Sequence, residues 1–350
     1  MPSTKTTTPL VVACDESGND GENVVVGSSS VFTHASVLLA KKEAAGIMAE
    51  VRERTQSESA ELKSKTITQA KHEGTARWLL QHPLLTKASS VHLTHKRYFV
   101  IAKLFDSTVE ESAYDAGCDM YADGSALCAA NILYFLAPST YGRKWDELLL
   151  AFQRFLRAKD AGEASSALMT LESAFVACLS IKTPIHQFIS MAHSGISHLG
   201  SLSSLQLGQG IDHRLRTLDP LIPAIGATVR LWAETSGRPV ELVHDAASEL
   251  SPERIAAIKY DLARPEIVSS QEAGNGVVLT DVLLVDSKDD DRVQVADLVA
   301  GLARVVAQQL TAGKEHPLAG EIEPLISPYS IWPNRSLMNP EAARAAAARA

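Results

Sequence analysis

The feature that most constrains the fold is a set of short apolar runs that lie in both halves of the chain and end in acidic residues. Pro9 to Cys14 leads into Asp15, Pro239 to Val243 leads into His244 and Asp245, and Val277 to Val285 leads into Asp286. Runs of this length that are bounded by turn residues are typical of buried strands. Helical patterns occupy the middle of the chain. We therefore expect an α/β fold whose sheet is built from both halves.

A second apolar run in the first half, Val24 to Phe32, follows the Gly-rich turn after Asp15. Its β-branched residues predict a strand that forms a hairpin with the first run. An acid at the end of a central strand can open onto a cleft, whereas an acid in a turn commonly bonds to its own backbone. Both interpretations of Asp15 are open on this segment alone.

The middle of the chain predicts a separate helical region. Segments rich in Ala, Leu and Ser extend from about Tyr98 to Leu207, and about a hundred residues is the size of a small domain. We expect residues 1–105 and 208–312 to form the α/β core, 106–207 to form a mostly helical insertion, and 313–350 to form a C-terminal tail. The insertion offers apolar surface for a homodimer or a protein partner.

Asp297 is the acid that most needs a partner. Apolar residues recur every three or four positions from about Asp291 to Gln309, which predicts an amphipathic helix. Gln294, Asp297 and Gly301 then fall on one side of that helix. A carboxylate beside such an apolar face is costly to desolvate unless a partner meets it. The candidate partners are a metal ion, an Arg or Lys, or solvent.

Glu61 and Lys63 lie two residues apart, beyond the first predicted helix, Ala35 to Arg54. If this piece is extended, both side chains project to the same side. They would then offer an acid to a metal and an amine to a phosphate. A solvated surface strand has the same composition, so the pair alone does not decide between the two.

Four acids from separate elements therefore stand out: Asp15, Glu61, Asp245 and Asp297. A pair of Mg²⁺ or Mn²⁺ ions needs such a set, because hard cations take oxygen ligands and the acids repel one another until metal neutralises them. Paired ions of this kind can hydrolyse a phosphodiester by activating water and stabilising the leaving oxygen.

Composition limits the partners of the chain. A formal charge of −8 and a pI near 5.8 mean that the chain as a whole lacks the basic surface of a tight duplex binder, so any nucleic-acid contact would be local. No stretch of about 18 apolar residues occurs, and Met1 to Pro9 is polar, without the apolar core of a signal peptide. We expect a soluble cytoplasmic protein with no membrane partner.

Three motifs carry a resemblance to a known family. They are Asp15-Glu16-Ser17-Gly18 after the first strand, Asp286-Ser287-Lys288, and Gln294-x-Ala296-Asp297-x-x-Ala300-Gly301 in the final helix. Together they resemble the bacterial family catalogued as domain of unknown function 3800 (DUF3800), over roughly residues 9–105 and 215–310. That family resembles the ribonuclease-H-like superfamily, which implies a mixed β-sheet flanked by helices. Here a long helix follows Phe32, where that superfamily usually has its third strand.

The resemblance also implies roles for individual residues. Nucleases of the superfamily carry a first-strand Asp, a Glu, a later strand-end Asp and an acid on the last helix. Matched in chain order, these roles fall on Asp15, Glu61, Asp245 and Asp297, with the three aspartates as metal ligands. Glu16 competes with Glu61 for the second role. Lys63 or Lys288 would steady the scissile phosphate, and the supporting residues of the motifs are Ser17, Asp286 and Gln294.

The acids and the resemblance together predict a metal-dependent nuclease or related phosphodiesterase. It would bind two Mg²⁺ or Mn²⁺ ions and hydrolyse phosphodiester bonds of a nucleic acid, either DNA or RNA. One alternative is a ribonuclease-H-like binding or assembly module with little or no catalysis, which the acidic charge favours because phosphate contacts supply most non-specific affinity. Another alternative is a hydrolase of small phosphorylated nucleotides, because such an enzyme needs no basic groove for a nucleic-acid backbone. At the family level, a bacterial nuclease of this kind would suit defence against foreign nucleic acid.

Overall fold

A computed structural model describes residues 8–110, 113–114, 116–200, 218–263 and 277–348. The chain falls into two compact units, and each is built from three separate pieces. The first unit comprises residues 1–19, 31–94 and 220–330, and the second comprises residues 20–30, 95–219 and 331–350. The predicted boundary between residues 207 and 208 lies outside the described residues.

The first unit contains a five-stranded mixed sheet in the order β3-β2-β1-β4-β5. Its strands are β1 (Leu10–Ser17), β2 (Val31–Val37), β3 (Ser89–His95), β4 (Val240–Asp245) and β5 (Leu279–Val285). Strand β1 pairs antiparallel with β2 and parallel with β4, and β4 pairs parallel with β5. The predicted α/β class, with a mixed sheet drawn from both halves of the chain and flanked by helices, is confirmed.

The helices, numbered in chain order, are α1 (Lys41–Thr55), α2 (Ser64–Ile67), α3 (Glu73–Leu80), α4 (Leu85–Ala88), α5 (Lys96–Phe105), α6 (Ser125–Tyr141), α7 (Arg143–Leu156), α8 (Ala161–Leu179), α9 (His186–Ser194), α10 (Leu221–Ser236), α11 (Pro252–Leu262), α12 (Asp291–Thr311), α13 (Ala319–Ile322) and α14 (Pro340–Ala347). A π-helical turn, Asp106–Glu110, follows α5. Helices α1 to α4 separate β2 from β3 in the chain, yet β3 lies beside β2 in the sheet.

The strand predicted at Val24 to Phe32 is wrong except at its last two residues. Val24 is buried in the core of the second unit, and the backbone N–H of Val25 donates to Gln153 Oε1 at 2.9 Å. Strand β2 instead begins at Val31 and runs through Ala35, which pairs with Asp15. Because β2 continues to Val37, α1 begins at Lys41, six residues later than the predicted start at Ala35.

Two helices cover opposite faces of the sheet. Because side chains alternate along a strand, Val12 and Cys14 face one way and pack with Ile225 of α10 in one apolar core. Helix α12 packs on β1 and β2. Its Ala300 carbonyl accepts a hydrogen bond from Thr33 Oγ1 at 2.8 Å. Ala13, Asp15 and Ser17 therefore belong to the face covered by α12.

The start of α12 is fixed by a cap and an ion pair. Asp290 precedes the helix, and its Oδ1 accepts the backbone N–H of Arg292 at 3.0 Å. The Arg292 guanidinium also donates to Asp290 Oδ2 at 2.6 Å, with both side chains largely buried. Asp290 therefore caps α12. An N-terminal acid also suits the helix dipole.

The second unit is helical. Its core contains residues of α5 to α9, among them Trp145, Phe152 and Phe175, all fully buried. In the described part of the chain, no helix is both long and apolar enough to cross a membrane.

Candidate active site

The first two predicted acids lie on neighbouring parallel strands. Asp15 is near the end of β1 and Asp245 is the last residue of β4. The register pairs Ala13 with Val243 and Cys14 with His244, which brings Asp15 and Asp245 side by side. Parallel strands in register point paired side chains to the same face, so both acids lie on the face covered by α12.

Asp297 approaches the same place from α12. It is largely buried, and both of its carboxylate oxygens accept hydrogen bonds from Ser64, from the backbone N–H at 2.8 Å and from Oγ at 3.0 Å. Gly301, one turn further along α12, makes this approach possible. A Cβ on Gly301 would lie 2.2 Å from Ser64 Cβ. The small residue therefore lets α2 come close enough to bind Asp297.

The three aspartates affect one another electrostatically. Burial raises the pKa of Asp15 well above its usual range, and the carboxylates of Glu16, Asp297 and Asp245 raise it further. Burial also raises the pKa of Asp297, although its bonds from Ser64 and the charge of Lys63 act in the opposite direction. Carboxylates that are gathered and desolvated in this way favour either a proton or a cation. The site thus has the charge that a divalent ion would neutralise.

Glu61 joins the group through Ser287. The backbone N–H of Ser287 donates to Asp245 Oδ1 at 3.0 Å, and its hydroxyl donates to Glu61 Oε1 at 2.7 Å. Lys63 pairs with Glu61, as expected if both side chains project to the same side. Desolvation lowers the pKa of Lys63, but Glu61, Asp297 and Asp245 together raise it above its ordinary value. The Lys63 ammonium therefore lies beside the acid cluster and remains charged.

Glu16 lies on the other face of the sheet. Its partner across the strands is His34 of β2, whose buried ring stacks on that of His244 of β4 with the ring centroids 5.3 Å apart. His244 Nδ1 donates to the Asp245 carbonyl at 2.8 Å, since a carbonyl can only accept. His244 Nε2 then lies 3.5 Å from Glu16 Oε2. Burial raises the pKa of Glu16, although His244 opposes this. Of the two competing glutamates, Glu61 shares the face of the three aspartates.

The remaining predicted residues have supporting or peripheral positions. Gln294 Oε1 accepts from the backbone N–H of Leu62 at 3.3 Å and from Arg52 Nη2 at 3.0 Å, which ties the Glu61 segment to α12. Asp286 and Lys288 are exposed and form a turn in which Asp286 Oδ1 accepts the Lys288 N–H at 2.9 Å. Neither contacts the three aspartates. Ser17 Oγ accepts from Arg304 Nε at 2.9 Å.

Three residues that contact the site were not predicted from the sequence: Ser64, Arg52 and Arg304. Arg52 and Ser64 are separated by more than 230 residues from the groups they bind on α12. Arg304 is 287 residues from Ser17. The only available signal was Gly301, whose position on the same side of the helix as Asp297 indicates that another segment comes close there.

No protein-family model matches the chain, and comparisons with curated proteins and with solved structures find no match. Within the described ranges, no group of three or more His, Cys, Asp or Glu side chains is arranged so as to hold a metal ion. The resemblance to the DUF3800 family and the assignment of metal ligands therefore stay predictions based on motifs and on the geometry above.

Proposed function

We propose that this chain is a metal-dependent nuclease of ribonuclease-H-like fold that hydrolyses phosphodiester bonds. The observation that carries the proposal is that Asp15, Asp245 and Asp297 come together at one face of the sheet, where burial and then the neighbouring carboxylates raise the pKa of Asp15. The mixed sheet supports the fold assignment, since β2 is antiparallel to β1 whereas β4 is parallel to it.

The donor set fits Mg²⁺ or Mn²⁺ chemically, because all three candidate ligands are carboxylates whose mutual repulsion a hard cation would relieve. Asp15, Asp245 and Asp297 would hold the ions. When bound, divalent ions supply an activated water and stabilise charge on the phosphate oxygens.

The protein's own groups fix the ligands and neutralise part of their charge. Ser64 orients Asp297 through two hydrogen bonds, and the backbone of Ser287 orients Asp245. Lys63 offers a charged ammonium beside the same acids, where a phosphate oxygen of the substrate would bind. Glu61 positions Lys63 and is itself positioned by Ser287. The candidate machinery is therefore Asp15, Asp245, Asp297, Glu61 and Lys63.

The test is cleavage of labelled single- and double-stranded DNA and RNA in Mn²⁺, in Mg²⁺ or in EDTA. Wild type is compared with Asp15→Asn and Asp297→Asn, and with Asp281→Asn, which alters an exposed acid of β5 paired with Lys259. We expect activity that requires metal, is unchanged in Asp281→Asn and falls in the other two. Their loss should exceed the roughly 10- to 100-fold that follows from removing a group which only orients a ligand. Cleavage by Asp297→Asn at the wild-type rate would overturn the proposal.

A further inference from the structure

Arg304 carries a positive charge close to the acid cluster and is not neutralised by it. Its Nε donates to Ser17 Oγ at 2.9 Å and its Nη1 donates to Gln308 Oε1 at 2.7 Å. Both partners are uncharged. Among the described residues, no carboxylate forms an ion pair with this half-buried guanidinium. By contrast, Arg52 and Arg292 of the same unit each bind an aspartate.

The position of Arg304 follows from two rows of residues that run in the same direction. Along α12, Arg304 comes seven residues after Asp297, which is two turns on the same side and about 10 Å along the axis. Along β1, Ser17 comes two residues after Asp15 on the same face, about 7 Å further. Because Arg304 binds Ser17, the guanidinium lies roughly 7–10 Å from the acids, beyond the end of β1.

This spacing suits a polymer of phosphates. Phosphates along one strand repeat about every 3.4 Å of helix axis, but the strand winds around that axis, so neighbouring phosphates lie roughly 6–7 Å apart and a spacing of 7–10 Å reaches the next phosphate or the one after it. A guanidinium binds a phosphate through two parallel N–H donors. The Ser17 and Gln308 oxygens fix the orientation of the group without cancelling its charge.

We propose that Arg304 binds a backbone phosphate one or two nucleotides from the one that is cleaved. The inference rests on the proposed nuclease function and makes it more specific. The site takes a polynucleotide, and a mononucleotide or an isolated phosphodiester lacks the second phosphate that Arg304 binds. Arg304 acts here in substrate binding and does not touch the reacting atoms.

The first experiment compares two substrates. Wild type, Arg304→Gln and Arg304→Lys are assayed on a short oligonucleotide and on bis(p-nitrophenyl) phosphate, which has a single phosphodiester and no neighbouring phosphate. Arg54→Gln is the matched control, because Arg54 lies on α1 of the same unit and pairs with Glu50 at the surface. We expect Arg304→Gln to raise KM for the oligonucleotide about tenfold or more, as for loss of a charged hydrogen bond. Turnover of the single diester should be unchanged, and Arg304→Lys should show a smaller defect.

The second experiment measures binding without cleavage. An Asp15→Asn protein, with and without Arg304→Gln, is titrated with a fluorescent oligonucleotide at several salt concentrations. Removing one phosphate contact should reduce the slope of log K against log salt by about 1. Thermal unfolding of each variant checks that the fold is intact. Arg304→Lys keeps the positive charge and should therefore retain the wild-type slope.

The outcomes separate the two proposals. An unchanged KM and an unchanged salt slope in Arg304→Gln overturn the role of Arg304, while cleavage by wild type keeps the nuclease proposal. Equal losses of activity on the oligonucleotide and on the single diester also overturn the role of Arg304, because the residue would then act by maintaining the structure of the site. A reduced slope in a protein that cleaves nothing supports the phosphate contact and counts against the nuclease.

Discussion

At the scale of single residues, the sheet buries three histidines close together. His34, His92 and His244 are almost fully inaccessible to solvent. Burial lowers the pKa of His92 to about 4, and Nε2 of His92 is hydrogen-bonded to Thr94 Oγ1 at 3.1 Å. Burial, with His244 and His92 nearby, also lowers the pKa of His34 well below its ordinary value. His34 and His92 are therefore held neutral inside the fold.

His92 makes the stability of the fold depend on pH. Its pKa is about 4 in the folded chain and about 6.5 in the unfolded chain. Above the unfolded value neither state is charged. As the pH falls towards 4, only the unfolded state gains the proton, so stability is lost across that window. We expect His92→Gln to reduce the slope of the unfolding free energy between pH 5 and 6 by roughly 1.4 kcal/mol per pH unit.

Urea unfolding at pH 5, 6 and 7.5 measures this effect. At pH 7.5 the two proteins should differ only by a constant packing cost, which serves as the internal control. Parallel pH profiles for wild type and His92→Gln would show that His92 binds its proton equally in the folded and unfolded states and would contradict the prediction.

At the scale of elements, the contact between α12 and α2 depends on one missing methyl group. Gly301→Ala would place its Cβ 2.2 Å from Ser64 Cβ and 2.5 Å from Ser64 Oγ. We expect a loss of about 1–3 kcal/mol in unfolding free energy, because overpacking shifts the backbone. The two bonds from Ser64 to Asp297 should weaken as well, so any metal-dependent cleavage should fall with the stability.

Denaturant unfolding with two companion variants tests this contact. Gly46 lies within α1, where an added Cβ meets nothing within 4 Å, so Gly46→Ala should stabilise the protein by about 0.5–1 kcal/mol. Adding Ser64→Gly to Gly301→Ala should recover part of the lost stability, since it removes the clashing atom. A Gly301→Ala protein as stable as Gly46→Ala would show that α2 is not held at this distance.

Much of the secondary structure could be predicted because the hydrophobic period was clear. Helix α12 and strands β4 and β5 begin and end within about two residues of their predicted limits. The prediction of a strand at Val24 to Phe32 was wrong because apolar residues indicate that a segment is buried but not in which core it is buried. Val24 is buried in the helical unit, whereas the strand begins only at Val31.

The candidate site was less predictable than the elements that carry it. An acid at the end of a strand can be predicted from its neighbours in the sequence, as at Asp15 and Asp245. The groups that bind such an acid cannot be predicted in this way. Ser287 binds Glu61 across 226 residues, and Ser64 binds Asp297 across 233. Alternation along β1 places Glu16 on the face opposite Asp15, but the register was needed to show that Asp245 shares the face of Asp15.

At the scale of the whole molecule, residues 331–348 form part of the helical unit. The backbone N–H of Asn334 donates to Asn131 Oδ1 at 2.7 Å, and Asn131 is fully buried. Ala343 of α14 is also fully buried, and the Ile331 carbonyl accepts the His95 N–H at 2.9 Å. This segment therefore contributes buried contacts to the core of its unit.

We expect a chain that ends at Ser330 to be much less stable than the full chain. Truncation would remove the N–H that Asn131 Oδ1 accepts, at a cost of about 1–3 kcal/mol, and would uncover the surface beneath α14. The melting temperature should fall by roughly 5 °C or more. Calorimetry of this chain is compared with a chain that ends at Ala347, which keeps every contact named above. Equal melting temperatures for the two would contradict the prediction.

The central pairing of the sheet also sets the order in which the protein can be completed on the ribosome. Leu10 of β1 pairs with Val240 of β4, 230 positions later. At about 5–20 residues per second, the second strand emerges roughly 10–45 s after the first. Strand β2 can cover one edge of β1 early, but the other edge waits for that interval with its backbone groups unpaired. During translation, β1 therefore has one unpaired edge at which another molecule can pair with it.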